Sequence, residues 1–277
     1  MSQLIQIKQR IKSIAIIKKI THAMRLISMS SHSRIKKQLE SLQNYKKHII
    51  PLLCALNEEK ESAESELKPH KKVIIFIGSE KGLCGNFNNI LFQYIEHHIT
   101  PEELATSTLI TIGKKITDFI KKKDLKPFKQ YTKFNQSTIE SLAEQLYLDI
   151  TQLHETHDSI QCVFNFPKTF FIQEPRLENL LPLPTYECPT EQAADLDEYI
   201  WPQNKKDVQT MLFAHLTKLH IFSVLSQSIV AEQAARFISM DSSTQNADKL
   251  LKTMQLTYNK LRQAKITKEL TELSSSF

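Results

Sequence analysis

Two stretches of this chain, Met1–Ile50 and Gln203–Phe277, contain neither glycine nor proline, and both carry apolar residues at intervals of three and four. In the first, Leu4, Ile7, Ile11 and Ile14 form one stripe. The apolar residues then slip by one position to Ile17, Ile20, Met24 and Ile27, and resume as Ile35, Leu39, Leu42, Ile49, Leu53 and Leu56. In the second, Val208, Leu212, Leu216, Leu219, Phe222, Ile229, Phe237, Met240, Ala247, Leu251, Met254 and Leu261 keep the spacing, and Ile266, Leu270 and Leu273 extend it. This spacing predicts one face of an α-helix. At about 1.5 Å per residue the first helix would run roughly 75 Å and the second, over 205–273, roughly 100 Å. Ordinary globular helices have about 10–14 residues. A lone helix of such length has nowhere to bury its stripe, so the two are expected to pair as an antiparallel coiled coil, with the middle of the chain making the return. Pro51 is expected to end or kink the first helix, because its ring removes a donor and clashes with the preceding turn.

Glycine occurs only 4 times in 277 residues, and Gly78, Gly82 and Gly85 fall close together. That scarcity argues against a turn-rich all-β fold. The middle reads as α/β. Residues 73–77 (VIIFI), 106–112 (TSTLITI) and 160–166 (IQCVFNF) suit buried strands. Helices are expected near 88–98, from Lys114 to Lys123, and from a capping-box pattern at Ser137 and Glu140 to about Leu153. Alternating strands and helices imply a mostly parallel, Rossmann-like sheet. Segment 174–202, with five prolines, reads as irregular. The expected organisation is an N-terminal coiled-coil helix over 1–68, an α/β domain over 69–203, and a C-terminal coiled-coil helix over 204–277 that packs on the first.

Residues 1–50 hold 11 Lys/Arg and one acid, residues 51–202 hold 15 basic and 23 acidic residues, and residues 203–277 hold 10 basic and 6 acidic. Both ends are basic around an acidic middle. A basic arm can bind nucleic acid, but Tyr45 is the only aromatic in residues 1–50, too few for base stacking. The loop G78-S-E-K-G-L-C-G-N-F-N follows a strand, yet lacks the spacing of a phosphate loop or a dinucleotide fingerprint, and reads as a turn needing positive φ at glycine. Cys84 lies in that loop with no base assigned to it. His154 and His157 are spaced i,i+3, unlike the metalloprotease H-E-x-x-H. Cys54, Cys84, Cys162 and Cys188 form no close pair, which predicts a reducing compartment and no disulfide framework. The Lys-rich N-terminus reads as mature protein, without a transit peptide. No run approaches about 18 apolar residues, so no spanning helix is expected. No catalytic residue, cofactor or metal site is expected. The pattern is that of a mechanical or assembly component.

Six ordered blocks carry a resemblance. I-K-S-I-A-I-I-K-K-I-T-H-A-M at 11–24, G-L-C-G-N-F-N at 82–88, I-G-K-K-I-T-D-F at 112–119, the segment F-N-F-P-K-T-F-F-I-Q-E-P-R-L-E-N-L-L-P-L-P at 164–184, A-E-Q-A-A-R-F-I-S-M at 231–240 and Y-N-K-L-R-Q-A-K-I-T-K-E-L at 258–270 resemble the γ subunits of F-type ATP synthases. Ile116 stands where that family usually has glycine, and Ser274-Ser275-Ser276-Phe277 replaces its usual Gly-Ala ending. No counterpart of the chloroplast dithiol insert is present. The resemblance implies a non-catalytic rotor shaft of the central stalk. Its helical pair would turn inside a ring of three α and three β subunits, and its α/β domain would touch ε and the ring of c subunits. Proton or sodium flow would turn shaft and c ring together. It further implies contact with α/β at Met24, Arg262, Gln263, Thr267 and Glu269, and an approach to ε and the c ring at Tyr199 and Trp201. Association with the membrane would come through the complex only, at the cytoplasmic face of a bacterial inner membrane. A basic coiled-coil nucleic-acid-binding protein is the alternative. The shaft of V/A-type ATPases, which lacks so large an α/β domain, is the mechanical rival.

Overall fold

The computed structural model of the chain describes residues 2–56, 71–183 and 204–275. Two single helices, α1 (Ser2–Leu56) and α6 (Lys205–Ser274), flank the other elements. The chain divides into two compact units, one of Met1–Met29 with Arg236–Phe277 and one of Ser30–Ala235. The domain boundaries expected at 68/69 and 203/204 involve residues outside the described ones.

Unit Ser30–Ala235 is built on a five-stranded sheet of order β3-β2-β1-β4-β5. Strands β1 (Lys72–Ile77), β2 (Thr108–Ile112), β3 (Lys129–Tyr131) and β4 (Ser159–Pro167) are parallel, and β5 (Gln173–Leu181) returns antiparallel to β4. Residues Val73 to Ile77 are all buried, as a central parallel strand covered on both faces requires. Helices α2 (Phe87–His98), α3 (Pro101–Thr106) and α4 (Lys114–Lys122) contribute Leu91, Ile95, Leu104, Ile116 and Ile120 to a core with Ile74, Phe76 and Val163. The other face packs Val73, Ile75, Ile77, Cys162 and Phe164 against α5 (Ile139–His154), Ile35 of α1, and Ile221, Leu225 and Ile229 of α6.

Several expectations change. α1 continues through Pro51 to Leu56, because Ile49 and Leu53 are buried with Leu216 and packing outweighs the lost helical bond. The strand expected from 106 starts at Thr108, since Thr100 and Glu103 make a reciprocal capping box, with Pro101 next, that winds 101–106 into α3. The box expected at Ser137 and Glu140 does not form. There Asn135 Oδ1 accepts the backbone N–H of Ser137 at 2.9 Å, and α5 starts at Ile139. Residues 173–181, largely expected to be irregular, form β5, whose Pro175 is tolerated on an edge strand. Cys84 and Cys162 are free and buried, whereas Cys54 is disulfide-bonded, which the cysteine spacing does not announce. Among the described residues no helix is long and apolar enough to cross a membrane.

Candidate partner-contact surface

In the unit of Met1–Met29 and Arg236–Phe277 the helical segments run antiparallel. Three cross-helix contacts define the register: Lys18 Nζ to Asp248 Oδ1 at 2.5 Å, Thr244 Oγ1 donating to Thr21 Oγ1 at 2.8 Å, and Arg25 Nη1 to Asp241 Oδ1 at 2.5 Å. Paired residue numbers rise on α1 as they fall on α6. Lys18 and Lys252 hold the Asp248 carboxyl below its usual range by donating to it.

These contacts overturn the expected slip of the α1 stripe. Leu4, Ile7, Ile11 and Ile14 are half-buried, and the same heptad frame continues through Lys18, Thr21, Arg25 and Ser28. Thr21 and Ser28 are buried. Ile17, Ile20 and Ile27, to which the stripe was expected to slip, are 51%, 54% and 67% exposed. The slip follows the apolar residues, whereas the helix keeps its frame because Asp241, Thr244 and Asp248 on α6 give polar side chains partners in the seam. Facing outward is therefore an apolar row of Ile17, Ile20 and Ile27, joined by Ile16 and Leu26. Isoleucines in such number on the outside of a helical pair mark a surface built to be covered.

Met24 lies beside this row and is half-buried. Arg262, Gln263, Thr267 and Glu269 are exposed near the end of α6. Thr267 Oγ1 donates to the Gln263 carbonyl at 3.0 Å, and Glu269 meets Lys265 at 3.4 Å. Extending the register places Ser2 of α1 beside residue 264, so the last turns of α6 have no described helix to pack on within this unit. Leu270 and Leu273 there are exposed. Tyr199 and Trp201 lie outside the described residues. The exposed row on α1 was missed because hydrophobic periodicity assigns apolar residues to the seam by default. Its one legible sign was the mismatch between Ile17–Ile20–Ile27 and the frame of Leu4–Ile7–Ile11–Ile14.

In unit Ser30–Ala235 the glycine loop serves the fold. Gly85 has φ 57, the positive value a tight turn asks of glycine, and Leu83 shares it at φ 65. Ser79 and Asn88 hold one another, the Asn88 amide donating to Ser79 Oγ at 2.8 Å. Cys84 is buried with Phe87, Ala231 and Ala235. His157 engages both ring nitrogens, Nε2 with Thr108 Oγ1 at 2.9 Å and Nδ1 with Thr156 Oγ1 at 2.8 Å. Among the described residues no three His, Cys, Asp or Glu side chains are grouped to hold a metal.

A titratable cluster sits where α1, β5 and α6 meet in the same unit. Burial pushes His220 down to about 4, with Lys46 adding to the shift and a bond to the Asn179 carbonyl opposing it. Burial likewise lowers Lys46 to about 8 and raises Glu178. The folded chain refuses the proton that His220 accepts near 6.5 when unfolded. The His220 contribution is therefore complete above pH 6.5 and lost as pH falls toward 4, by up to about 3 kcal/mol. Glu178 works in the opposite sense over the acid range. Denaturant unfolding between pH 7 and 4 should show a falling midpoint, and His220→Gln should flatten it. An unchanged slope in that variant would remove His220 from the account.

A family profile described as ATP synthase matches residues 3–277. The ATP synthase gamma chain of Geotalea daltonii is 30% identical over 287 residues, covering 99% of this chain and 98% of the relative. That of Fusobacterium nucleatum is 26% identical, covering 97% and 96%. Among solved structures, the rotor of the Euglena gracilis mitochondrial ATP synthase aligns with TM-score 0.67 at 16% identity, covering 96% of this chain and 99% of that one. The central stalk and c-ring structure from Tetrahymena thermophila aligns with TM-score 0.59 at 18% identity, covering 80% and 98%. These structural likenesses speak for the fold: long terminal helices around a mostly parallel sheet. Matched along nearly its whole length by profile and relatives alike, the chain belongs to the ATP synthase gamma-chain family.

Proposed function

We propose that this chain is the central-stalk rotor subunit of an F-type ATP synthase. It couples ion-driven rotation of a c ring to conformational change at the β catalytic sites, and is itself non-catalytic. The coupling ion is a proton or sodium, and the complex sits at the cytoplasmic face of a bacterial inner membrane. The paired arms are 1–68 and 204–277, and 69–203 is the α/β body. The observation that carries this reading is the outward face of the helical pair. An apolar row on α1 lies on a unit with 13 Lys/Arg against 4 Asp/Glu.

Such a face suits a sleeve of partners with acidic loops. One chain inside three equivalent partners presents a different face to each. Driving a two-state site from 1:99 to 99:1 takes about 5.5 kcal/mol of differential contact. Burying one isoleucine supplies about 1.5–3 kcal/mol, so a few suffice. Exposed charge pairs contribute only about 0–1 kcal/mol each and let the surface pass from one partner to the next. Met24, Arg262, Gln263, Thr267 and Glu269 are assigned to the α/β contact, and Tyr199 and Trp201 to ε and the c ring.

Co-expression with α and β should yield one copy of this chain per three α and three β, with ATPase activity only in the assembly. Ile20→Glu with Ile27→Glu should leave the unfolding free energy of the chain within about 0.5 kcal/mol. It should weaken assembly with α/β by about a hundredfold or more. Undiminished assembly would exclude this face from the contact.

A further inference from the structure

We propose that Lys18–Asp248, Thr21–Thr244 and Arg25–Asp241 form a register lock, which fixes how α1 and α6 are phased against each other and thereby which side chains share the outer face. The proposal rests on the geometry of the unit Met1–Met29 with Arg236–Phe277 and is independent of the rotor reading.

An antiparallel pair with a purely apolar heptad seam is nearly degenerate, because a shift of seven residues sets one apolar repeat against another. The α1 side here offers Leu4, Ile7, Ile11 and Ile14, and the α6 side offers Met240, Ala247, Leu251 and Met254. Nothing in those residues alone selects one register. The three polar rungs do select one. A shift of α6 by one heptad in one direction sets Arg25 beside Asp248, but leaves Lys18 beside Gln255 and Thr21 beside Leu251. The opposite shift sets Lys18 beside Asp241, but leaves Arg25 beside Ala234 and Thr21 beside Phe237. Either slip saves one ion pair, strands the other cation and sets a hydroxyl against an apolar chain. Only the observed phase satisfies all three rungs.

Stability does not explain the arrangement. The side chains of both ion pairs keep 28–39% of their exposure, a setting in which such pairs contribute little. The Arg25 Nε is buried without a hydrogen-bond partner, a cost that apolar residues would avoid. Polar groups at seam positions that cost stability and single out one pairing are a recognised device for specifying register. The phase they select points Ile17, Ile20 and Ile27 outward.

Register can be read in the full chain by cysteine cross-linking, with the joined peptides identified by mass. Thr21→Cys with Thr244→Cys reports the observed phase, and Thr21→Cys with Leu251→Cys or with Phe237→Cys reports the slips. With the native charges, the first pair should cross-link at least about tenfold faster than the others. Lys18→Gln with Arg25→Gln should bring the rates within about threefold. The double swap, Lys18→Asp with Asp248→Lys and Arg25→Asp with Asp241→Arg, should restore the preference, which a merely packing role would not. Salt offers a test that leaves the charges in place. At 1 M, where screening acts over about 3 Å, slipped products should increase relative to 50 mM. Persistence of the single phase in the neutral variant and at high salt would overturn the proposal, as would a folded double-swap variant that stays slipped.

Discussion

Phe76→Ala should destabilise the sheet unit by about 3–5 kcal/mol, the range for deleting a buried aromatic ring. Phe76 stands in β1, the middle strand of the sheet, and is 0% exposed. Its ring is held among Ile74, Leu91, Ile95, Ile116, Ile120 and Val163, from the sheet and two helices. The neighbours are β-branched or sit on packed helices, so they have little freedom to collapse into the space. A denaturant titration of the full chain should show the midpoint falling with an unchanged slope, since the cavity alters stability and not the surface exposed on unfolding. A loss below about 1 kcal/mol would mean that this face of the sheet is far less tightly packed than described.

Gly113→Ala should cost about 2–5 kcal/mol, from backbone strain and overpacking together. Gly113 opens α4 at φ 98, a conformation that L side chains rarely adopt. A Cβ placed there would lie 2.4 Å from the Gly78 carbonyl oxygen and 3.0 Å from that of Ser79. Those carbonyls cannot retreat freely. Gly78 N–H donates to the Ile112 carbonyl at 2.9 Å, Gly113 N–H to the Tyr131 carbonyl at 2.9 Å, and Lys115 N–H to the Ser79 carbonyl at 3.1 Å. The added methyl would push apart the carboxyl ends of β1, β2 and β3 together. Gly82→Ala is the control, because its nearest neighbour would be the Lys115 Cε at 3.8 Å. It should be neutral within about 0.5 kcal/mol. Equal stability of the two variants, measured by thermal and denaturant unfolding, would show that the Gly113 contact is not tight.

How much was legible differed by element. β1, β2 and β4 could be read because a strand buried on both faces is a short unbroken run of β-branched and aromatic residues. The residues 101–106 helix was legible in principle from Thr100, Pro101 and Glu103, but its six residues are too few to show a periodicity. β3 has three residues, two of them exposed, and β5 carries Pro175, Glu174, Arg176 and Glu178. Neither has the composition of a strand. Each exists because a neighbouring strand offers a ladder of backbone groups to pair with. The cluster of Lys46, Glu178 and His220 was equally hidden, since its members come from three elements far apart in the chain.

The long helices and their antiparallel pairing followed from the sequence itself. Freedom from glycine and proline, with a three-four stripe, leaves a chain few other ways to hide so much apolar surface. Which residues occupy the seam was decided only by the tertiary structure. Hydrophobicity ranks Ile17, Ile20 and Ile27 as interior and Lys18, Thr21 and Arg25 as exterior, and folding reverses both assignments. The reason is that the merit of a seam position depends on what lies opposite. For these three residues the partners Asp248, Thr244 and Asp241 are more than 200 positions away. A periodicity read along one helix carries no information about that partner, and the outward apolar face exists only because the partner is there.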